Sequence, residues 1–228
     1  RVAGVTGTDG KTTTCNLAVV FAQGGSRTLI VDADMRRPST HVTFGGPRAP
    51  GLSDVLKGNT TWRAQVTPTQ VENLSLLRAG TEVGNPGALL DSSAFARMLT
   101  ELKAEYDYIL FDVPPVLAVA DAASFFRSLD GILLLTRYGR CPVDVVDGAR
   151  EQIERLGGRL LGGIFNAFDV NRAFRRGYGY YGYYGYRARY GSYGADSPTP
   201  VKATPATKSK KTPDEPKAAS KGTQEAAK

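Results

Sequence analysis

Val2-Ala-Gly-Val-Thr-Gly7-Thr8-Asp9-Gly10-Lys11-Thr12-Thr13 is the stretch on which the fold turns. Residues 2–6 read as a short apolar strand. A glycine-bearing polar loop follows, and residues 11–23 then read as a helix that stops at Gly24-Gly25. Strand, glycine loop and helix in that order are the setting a phosphate cradle needs. Gly7 and Gly10 let backbone N–H groups turn inward, and the helix N-terminus adds its partial positive charge. Lys11 is placed to reach the β- and γ-phosphates, and the Thr12 hydroxyl to ligate Mg²⁺. Gly7, Thr8, Asp9, Gly10, Lys11, Thr12 and Thr13 are therefore the candidate nucleotide-contacting residues. One departure stands out: the usual first glycine, five places before Gly10, is Val5.

Outward from this loop, strand-like and helix-like stretches alternate. Residues 28–31 form a buried strand ending at Asp32, and 73–77 are a further candidate strand. Asn85-Pro86 reads as a helix start, with Asn as cap and Pro in the first turn. Residues 93–104 read as a helix, 108–111 as a strand ending at Asp112, and 132–135 as a strand. A helix over 143–156 and a strand over 160–165 ending at Asn166 complete the series. Such alternation implies an α/β, three-layer fold of the P-loop NTPase type, with a mostly parallel sheet covered on both faces. Continuous apolar strands such as Tyr108-Ile-Leu-Phe111 and Ile132-Leu-Leu-Leu135 suit the centre of that sheet.

Two further motifs place acids at the same sheet edge. In Leu29-Ile-Val-Asp32-Ala-Asp34-Met-Arg36-Arg37-Pro38, two carboxylates follow a strand. They are able to divide the work, one in the metal shell and the other as acceptor of a hydroxyl proton. The alternative is a surface Asp-x-Asp turn. In Ile109-Leu-Phe-Asp112-Val-Pro114-Pro115, a third carboxylate ends a second buried strand, where a group orienting Mg²⁺ is expected. Arg137 has two readings, a neighbour of the nucleotide or a surface arginine.

The end of the chain differs in kind. Eight of eleven tyrosines, Tyr178, Tyr180, Tyr181, Tyr183, Tyr184, Tyr186, Tyr190 and Tyr193, fall in a glycine-rich segment with no sustained apolar period. Glycine at that density is costly in helix or strand, so these side chains are expected on a flexible segment. Residues 194–228 are rich in Lys, Pro and Ala, a disorder-type composition. The expected organisation is thus a domain at 1–170, a Tyr/Gly/Arg cluster at 171–193 and a tail at 194–228.

Charge follows the same division. The net charge of +7 resolves into −1 for residues 1–170 (17 Lys+Arg, 18 Asp+Glu), +5 for 171–193 (five Arg) and +3 for 194–228 (seven Lys, four acids). A basic segment fits an acidic partner such as a lipid surface or nucleic acid, or serves only solubility. The single histidine, His41, excludes a multi-histidine metal site, and two cysteines suit a reducing compartment. Cys15 on the loop's helix reads as a small packing hydrophobe. No apolar run is long enough to cross a bilayer, although a first residue of Arg rather than Met suggests a fragment that a membrane segment could precede.

Taken together, the Gly-Lys-Thr-Thr loop, the strand–Asp-x-Asp-x-Arg, the strand–Asp-x-x-Pro and the tyrosine cluster resemble the bacterial tyrosine kinases of capsule and exopolysaccharide assembly. The resemblance spans about residues 1–193. It implies an ATP- and Mg²⁺-dependent protein-tyrosine autokinase. Lys11 and Asp34 would be catalytic, Thr12, Asp32 and Asp112 would organise the metal, and the eight tail tyrosines would be phosphoacceptors. In related ATPases an Asn in the place of Asn166 reads the adenine edge, though an Asn that ends a strand is also a common turn residue. The resemblance further implies partners: other copies of itself, a membrane activator or chain-length-determinant domain, fused or separate, and a cognate tyrosine phosphatase. It implies no nucleic acid, and a cytoplasmic place at the inner face of the membrane. Family members often lack the first loop glycine, as here. A competing reading is a partitioning- or positioning-type ATPase switch, but those proteins carry a second lysine where this chain has Thr6.

Overall fold

The computed structural model describes residues 1–7, 10–118 and 125–168. Contacts divide the chain into Arg1–Ala173 and Phe174–Lys228, and the described residues all belong to the first unit. The tyrosine cluster, the 194–228 tail, Thr8 and Asp9 lie outside the described residues.

Seven strands form one sheet in the order β3-β4-β2-β5-β1-β6-β7. They are β1 (Val2–Gly7), β2 (Thr28–Asp32), β3 (Thr67–Pro68), β4 (Leu74–Leu77), β5 (Tyr108–Asp112), β6 (Gly131–Arg137) and β7 (Leu160–Asn166). All pairings are parallel except that of β3 with β4, at the edge. The helices are α1 (Gly10–Gln23), α2 (Thr40–Phe44), α3 (Leu52–Leu56), α4 (Trp62–Gln65), α5 (Pro86–Leu90), α6 (Ser93–Glu105) and α7 (Val143–Arg155). The expected strands and the longer helices are all present. The short helices α2, α3 and α4, which have no counterpart in the sequence reading, are four or five residues long.

Alternation along the central strands feeds two cores. Ile30 and Leu110 face Cys15, Ala18 and Ala22 of α1 on one side. Leu29, Val31, Ile109 and Phe111 face the other side, where α6 contributes Phe95, Met98, Leu99 and Leu102 and α7 contributes Ala149 and Ile153. The α6 spacing i, i+3, i+4, i+7 makes one apolar stripe. Its first turn is capped by Ser92, whose Oγ accepts the Phe95 N–H at 3.3 Å. Phe95 meets Phe111 and Phe125 edge to face, and Phe111 and Phe125 are tilted on each other, at 5.3–5.8 Å between centroids. As the Asn85-Pro86 pattern implies, Asn85 Oδ1 accepts the Ala88 N–H at 3.2 Å.

Strand β1 has β5 on one side and β6 on the other, so chain connections leave in opposite directions around it. Such a switch point opens a crevice at the carboxyl ends of the strands. Gly7 ends β1 there with φ 137°, and a Cβ on it would overlap the Leu135 carbonyl. Only glycine lets β1 run so close beside β6 and then turn into the loop.

Candidate nucleotide site

Parallel register carries Asp32 and Asp112 to this crevice, and Asp34 follows two residues past the end of β2. Asp32 ends β2 and Asp112 ends β5, and the two are direct register partners, with Val5 of β1 next in line. Asp32, Asp112 and Asp34 are 0%, 1% and 4% exposed.

Each of the two strand-end acids has one oxygen occupied and one left open. Asp32 Oδ2 accepts the Thr40 hydroxyl at 2.7 Å and the N–H groups of Thr40 and Ser39 at 3.1 and 3.2 Å. Asp112 Oδ1 accepts the Thr14 hydroxyl at 3.0 Å. Asp32 Oδ1 and Asp112 Oδ2 are buried and have no hydrogen-bond partner among the described residues. A buried acceptor left unpaired costs about 1–3 kcal/mol, so the site is held open at the expense of stability. Burial, and then the charge of Asp32, push the Asp112 carboxyl up to about 7, against the pull of Thr14 and Lys11. Burial also raises Asp32, against the hydrogen bonds from Thr40 and Ser39.

These features fit a divalent cation. The two carboxylates with an unpaired oxygen end adjacent strands in register, and ionising both without a cation is disfavoured. Among the described residues no three acidic, histidine or cysteine side chains form a cage. Mg²⁺ is commonly held by one or two carboxylates, with substrate phosphate and water supplying the rest, and Asp32 and Asp112 offer such a pair.

Lys11 and Asp34 form the other half of the site. Lys11 Nζ lies 3.3 Å from Asp34 Oδ2 and also donates to the Arg37 carbonyl. Asp34 Oδ1 accepts the Arg37 N–H at 3.0 Å. The Lys11 ammonium is therefore held on the Asp34 carboxylate. Gly10 opens α1, and Thr12 in its first turn is exposed. Thr13 accepts from Asn166 Nδ2 at 3.2 Å, which ties the end of β7 to the loop's helix. Arg137 closes β6 in register with Asn166.

Three contributors escaped the sequence reading. Thr14 and Thr40 orient the two acids. Thr6, fully buried, donates to the Pro114 carbonyl at 2.8 Å and accepts the Val116 N–H at 3.1 Å, pinning the turn that follows Asp112. Thr14 had a signal, since it lies one helical turn past Lys11. Thr40 had none, because its contact exists only when α2 folds back over the end of β2. Cys15 packs as expected: it is buried, and burial followed by the Asp112 charge pushes its thiol up to about 11.

The comparisons agree with this geometry. Residues 2–137 match the family described as AAA domain. The putative tyrosine-protein kinase CapB of Staphylococcus aureus is 36% identical over 157 residues, 69% of this chain and 69% of CapB. The putative tyrosine-protein kinase EpsB of Ralstonia solanacearum is 38% identical over 72% of this chain, which spans only 22% of EpsB. Among solved structures, the chimerical protein CapA2B2 superposes with a TM-score of 0.70 at 34% identity, over 74% of this chain and 76% of that one. The septum site-determining protein MinD of Pyrococcus horikoshii, complexed with Mg-ADP, gives 0.60 at 25% identity, over 72% of this chain and 69% of that one. By its AAA domain and its similarity to CapB, this chain belongs to the bacterial tyrosine-protein kinases.

Proposed function

We propose that this chain is an ATP-dependent protein-tyrosine autokinase whose acceptors are its own C-terminal tyrosines. The observation that carries the proposal is the pair of half-satisfied carboxylates, Asp32 and Asp112, beside the Lys11–Asp34 ion pair. Asp32, Asp112 and Thr12 would hold Mg²⁺, which when bound neutralises charge on the β- and γ-phosphates. Lys11 would leave Asp34 for phosphate as ATP enters. Asp34 is then free to take the phenolic proton. The tyrosine oxygen forms its bond to the γ-phosphorus, the bond to the ADP oxygen breaks, and ADP leaves with that electron pair.

Asn166 would read the adenine, and the loop from Gly7 to Thr13 would wrap the phosphates. The acceptor assignment rests on sequence: eight tyrosines lie within sixteen residues, among glycines and arginines. The kinase is proposed to act on other copies of itself and to regulate polysaccharide synthesis and export. It would work at the inner face of the membrane with an activator domain and be reset by a tyrosine phosphatase, with no nucleic acid partner. No helix among the described residues is long and apolar enough to cross a membrane.

The ATPase-switch reading is disfavoured by Thr6. That position would have to hold a reaching lysine, and here it holds a buried hydroxyl committed to the Pro114–Val116 turn. Incubation with MgATP followed by mass-spectrometric mapping tests the proposal. Phosphotyrosine within 178–193 is expected. ATP hydrolysis with no phosphotyrosine would move the chain to the switch class.

A further inference from the structure

The sheet order gives the crevice two unlike sides. The acids lie on the β2–β5 side of α1's first turn, and β6 and β7 lie on the other. A nucleotide that brings its terminal phosphates and their cation to Asp32 and Asp112 must send its nucleoside the opposite way, over the ends of β6 and β7. Two strand spacings, about 10 Å, separate β1 from β7.

An aromatic pair stands there. Tyr138 follows β6, and its N–H donates to the Asn166 carbonyl at 2.9 Å. Asn166 is in turn held to Thr13 by its amide and to the Ala167 N–H by Oδ1, at 2.9 Å. Ala167 has φ 52°, the left-handed turn that L-residues seldom adopt, and it brings the next side chain back over the strand end. Phe168 thereby meets Tyr138 in a T-shaped contact, 4.7 Å between centroids and 66° between planes. A T-shaped pair leaves a whole face of each ring clear of the other. Phe168 remains 54% exposed, a large apolar ring that is fixed in place and partly uncovered.

We propose that Phe168, braced by Tyr138, is a stacking platform for the nucleobase and thus sets the preference for a nucleotide over bare polyphosphate. The inference rests on the nucleotide-binding reading of the loop. Asn166 supplies hydrogen bonds to the base edge, and the ring supplies its π-face.

The test is competition binding to the full chain in Mg²⁺, with ADP and inorganic tripolyphosphate as probes. Phe168→Ala is expected to weaken ADP about 10-fold, the order of losing one base–aromatic stack, and to leave tripolyphosphate unchanged. Phe168→Tyr should restore ADP affinity. Phe168→Trp should show fluorescence quenched by ADP and not by tripolyphosphate, over the constant background of the single native tryptophan, Trp62, which is buried. Unchanged ADP affinity in Phe168→Ala, or equal loss of both probes, overturns the platform while the nucleotide reading stands. A wild-type chain that binds neither probe overturns the nucleotide reading and the platform with it.

Discussion

Asp32 and Asp112 are register partners on adjacent parallel strands, and each gives one carboxylate oxygen to a threonine and keeps the other free. Two buried like charges facing each other are unfavourable in the ligand-free protein. The arrangement makes sense as a site that waits for a cation, and its cost in stability is measurable.

Asp112→Asn should therefore stabilise the ligand-free protein. The sign follows from the raised carboxyl. A folded-state value of about 7 against an ordinary 3.8 means that the folded state binds more protons than the unfolded one in that window. Stability is thus fully present below pH 3.8 as far as this group is concerned and declines as pH rises toward 7. In EDTA, the melting temperature of the wild type should fall between pH 5.5 and 7.5, and Asp112→Asn should flatten that fall. At this chain length each 1 kcal/mol moves the melting temperature by about 2–4 °C. An asparagine variant that melts lower than wild type at pH 7.5 would contradict the reading of Asp112 as strained.

Thr14 and Thr40 should matter for the cation and not for the base. Removing a hydroxyl that orients a metal ligand typically weakens metal affinity about 10–100-fold. Thr40→Val is expected to raise the Mg²⁺ concentration needed for tight ADP binding by that order, with Mg²⁺-free ADP affinity little changed. Thr40→Ser should rescue it. Equal loss with and without Mg²⁺ would mean that the threonine serves only the fold.

Lys11 and Asp34 are expected to separate binding from transfer. Lys11→Met should abolish phosphotyrosine while the melting profile persists, because it removes charge stabilisation from the transferring phosphoryl group. Asp34→Asn removes the acid on which Lys11 is parked, so ADP affinity should hold or improve. Phosphotransfer should drop by about 100-fold or more, the contribution of a positioned general base. Parallel, small losses of binding and transfer in Asp34→Asn would remove it from the base role.

For the tyrosine cluster the expected behaviour is collective. Each phosphate adds roughly −1.5 to −2 charges near neutral pH, against the +5 of residues 171–193. Three phosphates then bring the segment to about neutral, and four are enough to reverse its sign. Replacing any one of the eight tyrosines by Phe should leave most labelling, and replacing all eight should remove nearly all of it and spare ATP binding. Transfer between chains is tested by mixing a Lys11→Met chain with an active chain cut after residue 170. Label on the intact, inactive chain is expected, and its absence would exclude transfer in trans.

The sequence by itself determined the elements that repeat with a period or end on a glycine. The strands around 28–31, 108–111 and 132–135 are largely continuous apolar runs, those around 2–6 and 160–165 are apolar runs broken by glycine, and the glycine loop stands out through Gly7, Gly10 and Lys11. Asp32 and Asp112 were legible as strand-end groups for the same reason, and Asp34 as an acid just past the end of β2. The helices α2, α3 and α4 were not, since four or five residues carry too little of a 3.6-residue period to be read. Only the tertiary structure decided that Asp32 lies opposite Asp112, which oxygen of each is spent, that Lys11 rests on Asp34, and that Phe168 folds onto Tyr138. Parallel register and side-chain pairing link residues tens of positions apart. They are set by how two cores pack on either face of one sheet, and no local pattern along the chain encodes that packing.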